Sequence, residues 1–167
     1  YDDAIRVAAI DPAQRRITFK VAHVYGVRQG NPSPRRWRAV NLLEELDRPG
    51  EYFIDVAANR LYLWPDQDLT QARVALAVHD EPLIVLQNAA DIALRGLIFE
   101  EGQGDGLTIT ECRRGTVGEC GFRNLRRKSI HMNGGASNRI ARGDIYDTGT
   151  GGVTLGGGDR KTLAPAG

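Results

Sequence analysis

Short apolar pairs, two residues apart and separated by polar turns, run through the chain from Leu94 to Leu155 and recur at a fixed step of 23 residues. Leu94, Val117 and Ile140 fall one step apart, as do Leu97, Cys120 and Gly143, and then Phe99, Phe122 and Ile145. A second set keeps the same register: Leu107, Ile130 and Val153, followed two residues later by Ile109, Met132 and Leu155. The register also runs backwards through Ile84 and Leu86, and then through Val74 and Leu76, which makes about four copies. A period of this length built from short alternations marks a solenoid in which each repeat is one coil.

Alternation at a spacing of two puts every second side chain on one face of a strand, and none of these runs reaches helical length. Between the runs lie Glu101 to Gly106 and Asn133 to Asn138, rich in Gly, Asn and Asp, which turn the chain. Leucine-rich repeats of similar length need a helical segment that is not present here. The pattern therefore predicts an all-β, right-handed parallel β-helix with 23-residue coils, N-terminal hairpins and one short helix. Equivalent strands in such a coil stack roughly 4.8 Å apart.

Upstream, Ile5, Val7 and Ala9 alternate, Asp11 to Gln14 breaks the run, and Ile17, Phe19 and Val21 resume it, which predicts a hairpin. Gly30 to Pro34 reads as a loop. Trp37 to Asp47 carries Val40, Leu43 and Leu46 at helical spacing and stops at Pro49-Gly50, predicting a short helix. Tyr52, Ile54 and Val56, then Leu61 and Leu63, predict a second hairpin. Its aromatics Tyr52, Phe53, Tyr62 and Trp64 either stack on sugar rings or cover the open end of the solenoid. The organisation expected is a capping module over 1–66 and coils over 67–167, truncated at the C-terminus.

Four segments, Ile92 to Glu100, Gly106 to Ile109, Val117 to Asn124 and Ile140 to Gly149, together resemble the right-handed parallel β-helix proteins of the pectate-lyase-like superfamily. Asn41 to Pro65 is similar to the module that leads into the helix in large bacterial secreted polysaccharide-degrading β-helix proteins, and Gly156 to Leu163 to a turn between later coils. The resemblance implies a secreted or periplasmic parent acting on polysaccharide, either as a lyase or as a glycoside hydrolase. It equally admits a non-catalytic carbohydrate-binding, adhesive or structural β-helix, because one fold hosts many functions. A lyase would bring calcium; no other cofactor is implied. The Arg-x-Pro-x-x-Arg stretch expected of pectate lyases has no match, so no catalytic residue transfers by motif.

Composition narrows the partners. The 167 residues carry 22 basic and 21 acidic side chains, a net charge of +1 that gives no field to draw in nucleic acid or an anionic membrane. No apolar run approaches the length of a membrane span. The chain opens at Tyr1 with neither Met nor a leader pattern, which reads as an excised piece whose last coil either continues in a longer parent or associates end to end. Of the two cysteines, Cys120 takes the inward position of Leu97 and Cys112 falls in a turn. They either bridge one coil or remain free thiols, and neither has a partner at zinc-ligand spacing.

Outward positions form columns across the coils: Val85, Thr108, His131 and Thr154; Ile98, Gly121 and Asp144; Glu100, Arg123 and Tyr146. An extended ligand would cross them. His131 suits proton transfer near neutral pH, and Asp159 with Arg160 follows three glycines that let a ligand approach the backbone, so these three are the candidate catalytic residues. Asp144 and Tyr146 are the candidate substrate-binding pair. An inverting hydrolase needs two carboxyls about 6.5 to 9.5 Å apart. Arg160 would grip a sugar carboxylate bidentately, or pair instead with Asp159 or Asp144. The competing reading makes His131 a surface residue between two threonines and the turn aspartates caps for their own backbone.

Overall fold

The computed structural model describes residues 4–23, 26–27, 37–159 and 161–163. The chain divides into two compact units, with the boundary in the sequence between residues 74 and 75.

The first unit holds two antiparallel hairpins, β1 (Val7–Asp11) with β2 (Arg16–Phe19), and β3 (Tyr52–Asp55) with β4 (Arg60–Leu63). Both hairpins fall where the alternation predicts them, the first with a register shift between Val7 and Ala9. The turn of the first is closed by the Asp11 carboxylate accepting from the Gln14 amide at 3.0 Å. The predicted helix over Trp37 to Asp47 reduces to one 3-10 turn, Leu43–Glu45. Asn41 explains the loss: its backbone is left-handed at φ 60°, and its side chain both accepts from the Ile54 amide at 2.7 Å and donates to the Ile54 carbonyl at 2.9 Å. This amide pairs with β3 as a strand residue would, so it breaks the helical run between Val40 and Leu43. None of the described residues of this unit is buried. The loop read over Gly30 to Pro34 lies outside the described residues.

The second unit is the solenoid, with about three turns. Its ten strands are β5 (Ile84–Gln87), β6 (Ala93–Arg95), β7 (Ile98–Gly102), β8 (Leu107–Thr110), β9 (Thr116–Gly118), β10 (Gly121–Leu125), β11 (Lys128–Asn133), β12 (Arg139–Ala141), β13 (Asp144–Ile145) and β14 (Gly151–Gly156). They form three parallel sheets, ordered β5-β8-β11-β14, β6-β9-β12 and β7-β10-β13. The register is the one the hydrophobic pattern predicts: Ile84, Leu107, Ile130 and Val153 stand in one row, Leu94, Val117 and Ile140 in another, and Phe99, Phe122 and Ile145 in a third. A fourth copy forms only in the sheet led by β5. No strand covers Val74 and Leu76, which are 56% and 53% exposed. Among the described residues, no helix is long and apolar enough to cross a membrane.

The core lies between the sheets of the second coil. Leu107 and Ile130 are fully buried, and the rings of Phe99 and Phe122 stack with centroids 4.5 Å apart and planes 7° apart. Each such side chain removed from water contributes about 1.5–3 kcal/mol. Cys112 and Cys120 are both buried and free. At the last coil the same inward rows are open, with Val153 43% and Leu155 65% exposed.

Corners repeat as strictly as strands. Four columns have positive φ: Asn88, Glu111 and Gly134; Asp91, Arg114 and Ser137; Gly96, Glu119 and Arg142; and Glu101, Asn124 and Asp147. Left-handed backbone costs a residue with a Cβ roughly 1–2 kcal/mol, and here the corner also joins the inter-coil ladder. The amides of Arg114 and Glu119 donate to the carbonyls of Ala136 and Ala141 in the coil below, at 3.0 and 3.1 Å. Two corner columns also carry ion pairs one step apart, Asp91 with Arg114 and Glu119 with Arg142, each at 2.7 Å.

Candidate functional site

Parallel pairing places the outward columns as the spacing predicts, and thereby separates the candidate residues. His131 stands on β11 between Thr108 and Thr154, in the sheet led by β5. Asp144 belongs to the sheet led by β7, beside Gly121 and in line with Ile98. Tyr146 follows β13 and joins that same sheet through its amide, which donates to the Phe122 carbonyl at 3.1 Å. His131 is thus on a different sheet from Asp144 and Tyr146.

His131 approaches one acid. Its Nδ1 is 3.7 Å from Asp105 Oδ2, too long for a hydrogen bond but close enough for attraction when the imidazole is protonated. Asp105 lies in the turn before β8 and is nearly buried. Its Oδ1 accepts from the Lys128 amide at 3.1 Å and lies 3.7 Å from Arg127 Nε. The carboxylate of Asp159 is spent locally, accepting from the Lys161 amide at 2.8 Å. Arg160 lies outside the described residues.

Asp144 and Tyr146 line an open groove on the outer surface, together with Gly96, Ile98, Gly121 and the charged side chains Glu119, Arg123 and Arg142. Its floor exists because Gly121 carries no side chain between Ile98 and Asp144. One wall is the exposed pair of Arg142 Nη2 with Glu119 Oε1. The other runs across three coils: Arg123 Nε donates to Glu100 Oε2 at 2.7 Å, and Arg123 Nη1 donates to the Tyr146 hydroxyl at 3.0 Å. Those bonds, to Tyr146 first and then to Glu100, push the Arg123 guanidinium further above its usual range. Asp144 makes no side-chain hydrogen bond or ion pair with the described residues. Tyr146 is 46% and Ile98 61% exposed, so both offer carbon surface to the groove.

The residue columns contain Asp144, Tyr146 and Arg123, of which only Asp144 and Tyr146 were singled out, and they miss Glu119 and Arg142. A signal for them was present: an acid is followed one step later by an arginine at Glu100 and Arg123, and again at Glu119 and Arg142. No group of three or more His, Cys, Asp or Glu that could hold a metal occurs among the described residues. Comparison with known protein families, curated proteins and solved structures returns no match.

Proposed function

We propose that this chain is a carbohydrate-binding β-solenoid that contacts an extended glycan on the outer surface of the sheet led by β7. The observation that carries the reading is the open groove whose lining spans successive coils and includes Asp144 and Tyr146. Coils roughly 4.8 Å apart present their side chains in rows, and a chain of sugar rings meets successive rows as it extends. Tyrosine supplies a flat face for the C–H side of a pyranose and a hydroxyl for its oxygens. The pectate-lyase-like resemblance points to the same ligand class and to a secreted or periplasmic parent. Binding of the full chain to a glycan array, lost on Tyr146→Ala, is the expected result; an array with no bound glycan overturns the reading.

Polysaccharide cleavage, by a lyase or a glycoside hydrolase, is a second reading, and the approach of His131 to Asp105 favours it. A carboxylate within reach of an imidazole is a pairing that general acid–base chemistry uses. Incubating the full chain with polysaccharides and following new reducing ends and unsaturated products tests this. Cleavage abolished by His131→Ala supports it, and no product from any polysaccharide sinks it.

A further inference from the structure

We infer that the groove beside β13 selects neutral saccharides over uronates, an inference that rests on the carbohydrate-binding reading above. The argument is a charge inventory of the lining. Two guanidiniums face the groove, and each already holds a carboxylate: Arg142 binds Glu119 at 2.7 Å, and Arg123 binds Glu100 at 2.7 Å. A uronate would have to displace one of these acids to gain an arginine, exchanging one charged hydrogen bond for another with no net gain. The charge in the lining left without a partner among the described residues is the Asp144 carboxylate, and it repels a second carboxylate. A neutral sugar meets the opposite situation. Two adjacent hydroxyls donate to the two oxygens of Asp144, as charge-assisted bonds of the stronger kind. The Tyr146 oxygen accepts from Arg123, which leaves its own O–H free to donate to a sugar oxygen. Ile98 contributes apolar surface for the ring face.

Space fits this reading. An added Cβ at Gly121 would meet only Ile98 Cγ1, at an ordinary 3.8 Å. The Cβ is therefore accommodated, and a larger side chain at this position is expected to occupy the groove, which gives a variant that blocks the site.

The test is a 1H-15N titration of the full chain at neutral pH with three neutral hexasaccharides (cellohexaose, mannohexaose and xylohexaose) and with hexagalacturonate. The inference expects a neutral hexasaccharide to shift the amides of Gly96, Gly121, Asp144 and Tyr146, with hexagalacturonate weaker by about tenfold or more, the equivalent of one charged hydrogen bond. Asp144→Asn is expected to weaken the neutral ligand by a similar factor and to narrow the difference between the two ligands, while Gly121→Val removes both without changing the circular dichroism. Hexagalacturonate binding at these amides as tightly as the neutral sugars overturns the selectivity and leaves carbohydrate binding standing. Shifts confined to the face of His131 overturn the location. No shift with any of the four sugars removes both the inference and the reading beneath it.

Discussion

Replacing Phe122 by Ala probes the solenoid at its most committed point. Phe122 is 2% exposed, stacks on Phe99 at 4.5 Å and lies in the middle of its row, so coils above and below both lean on it. Phe-to-Ala changes in well-packed interiors cost about 3–5 kcal/mol, transfer and cavity together. The upper part of that range applies, because the parallel ladders on either side hold the backbone and prevent collapse into the space. At about 0.05–0.15 kcal/mol per residue, the whole stability of such a unit is on the order of 5–14 kcal/mol, so one substitution removes about a quarter or more of it. Urea unfolding followed by circular dichroism, with the midpoint read at unchanged slope, measures the loss. The pair Phe99→Ala and Phe122→Ala, made singly and together, should show a coupling of about 0.5–1.5 kcal/mol from the ring contact. Tyr62→Ala on the exposed hairpin is the control and should fall within about 1 kcal/mol of the parent. A Phe122→Ala loss below about 1.5 kcal/mol, or no coupling, would refute the stacked row.

Three further outcomes follow from particular contacts. Gly135→Ala places a Cβ 1.9 Å from the Cys112 carbonyl at φ 90°, so it should cost about 4 kcal/mol or prevent folding, whereas Gly118→Ala, whose Cβ finds 3.7 Å to its nearest atom, should be tolerated; equal thermal midpoints for the two would contradict this. Ser129 has a buried hydroxyl without a partner among the described residues, and Ser129→Ala should raise stability by about 1 kcal/mol in urea unfolding; a fall would mean that the hydroxyl is bonded. Hydrogen bonds from Arg114 hold the Asp91 carboxyl below its ordinary 3.8. Its contribution is therefore complete above that value and lost as pH falls through the lowered one. Asp91→Asn should be less stable than the parent at neutral pH and converge with it at strongly acidic pH; a gap that widens on acidification has the wrong sign.

The rows of the solenoid were legible because burial imposes a period of two within strands and a fixed step between coils, and both act on side-chain type. Leu107, Ile130 and Val153 needed no other information. The corners were only partly legible: Glu101 to Gly106 and Asn133 to Asn138 read as turns, but Arg114, Glu119 and Arg142 are poor advertisements for left-handed backbone. What holds them there is the inter-coil ladder, a long-range interaction that local propensity does not contain. Two apolar patterns also misled. Val74 and Leu76 keep the step but form no strand and stay exposed, and Val40, Leu43 and Leu46 keep helical spacing but bury no common face. Of the candidate site, Asp144 and Tyr146 were found as outward neighbours. Their separation from His131 follows from sheet membership, which depends on where each corner falls.

A solenoid whose rows are this uniform carries an ambiguity that a globular core does not. Sliding one coil past the next by a full step leaves apolar residues facing apolar residues, so the interior alone cannot tell the first coil's proper neighbour from the one after it. The inter-coil charges can. In the native order Asp91 meets Arg114 and Glu100 meets Arg123; displaced by one more coil, Asp91 would face Ser137 and Glu100 would face Tyr146, and both acids would lose their guanidinium. The exposed Asp91–Arg114 pair adds little to stability. The value of such pairs lies in discrimination, as addresses written on the rim of each coil that make a mis-stacked solenoid worse than the correct one.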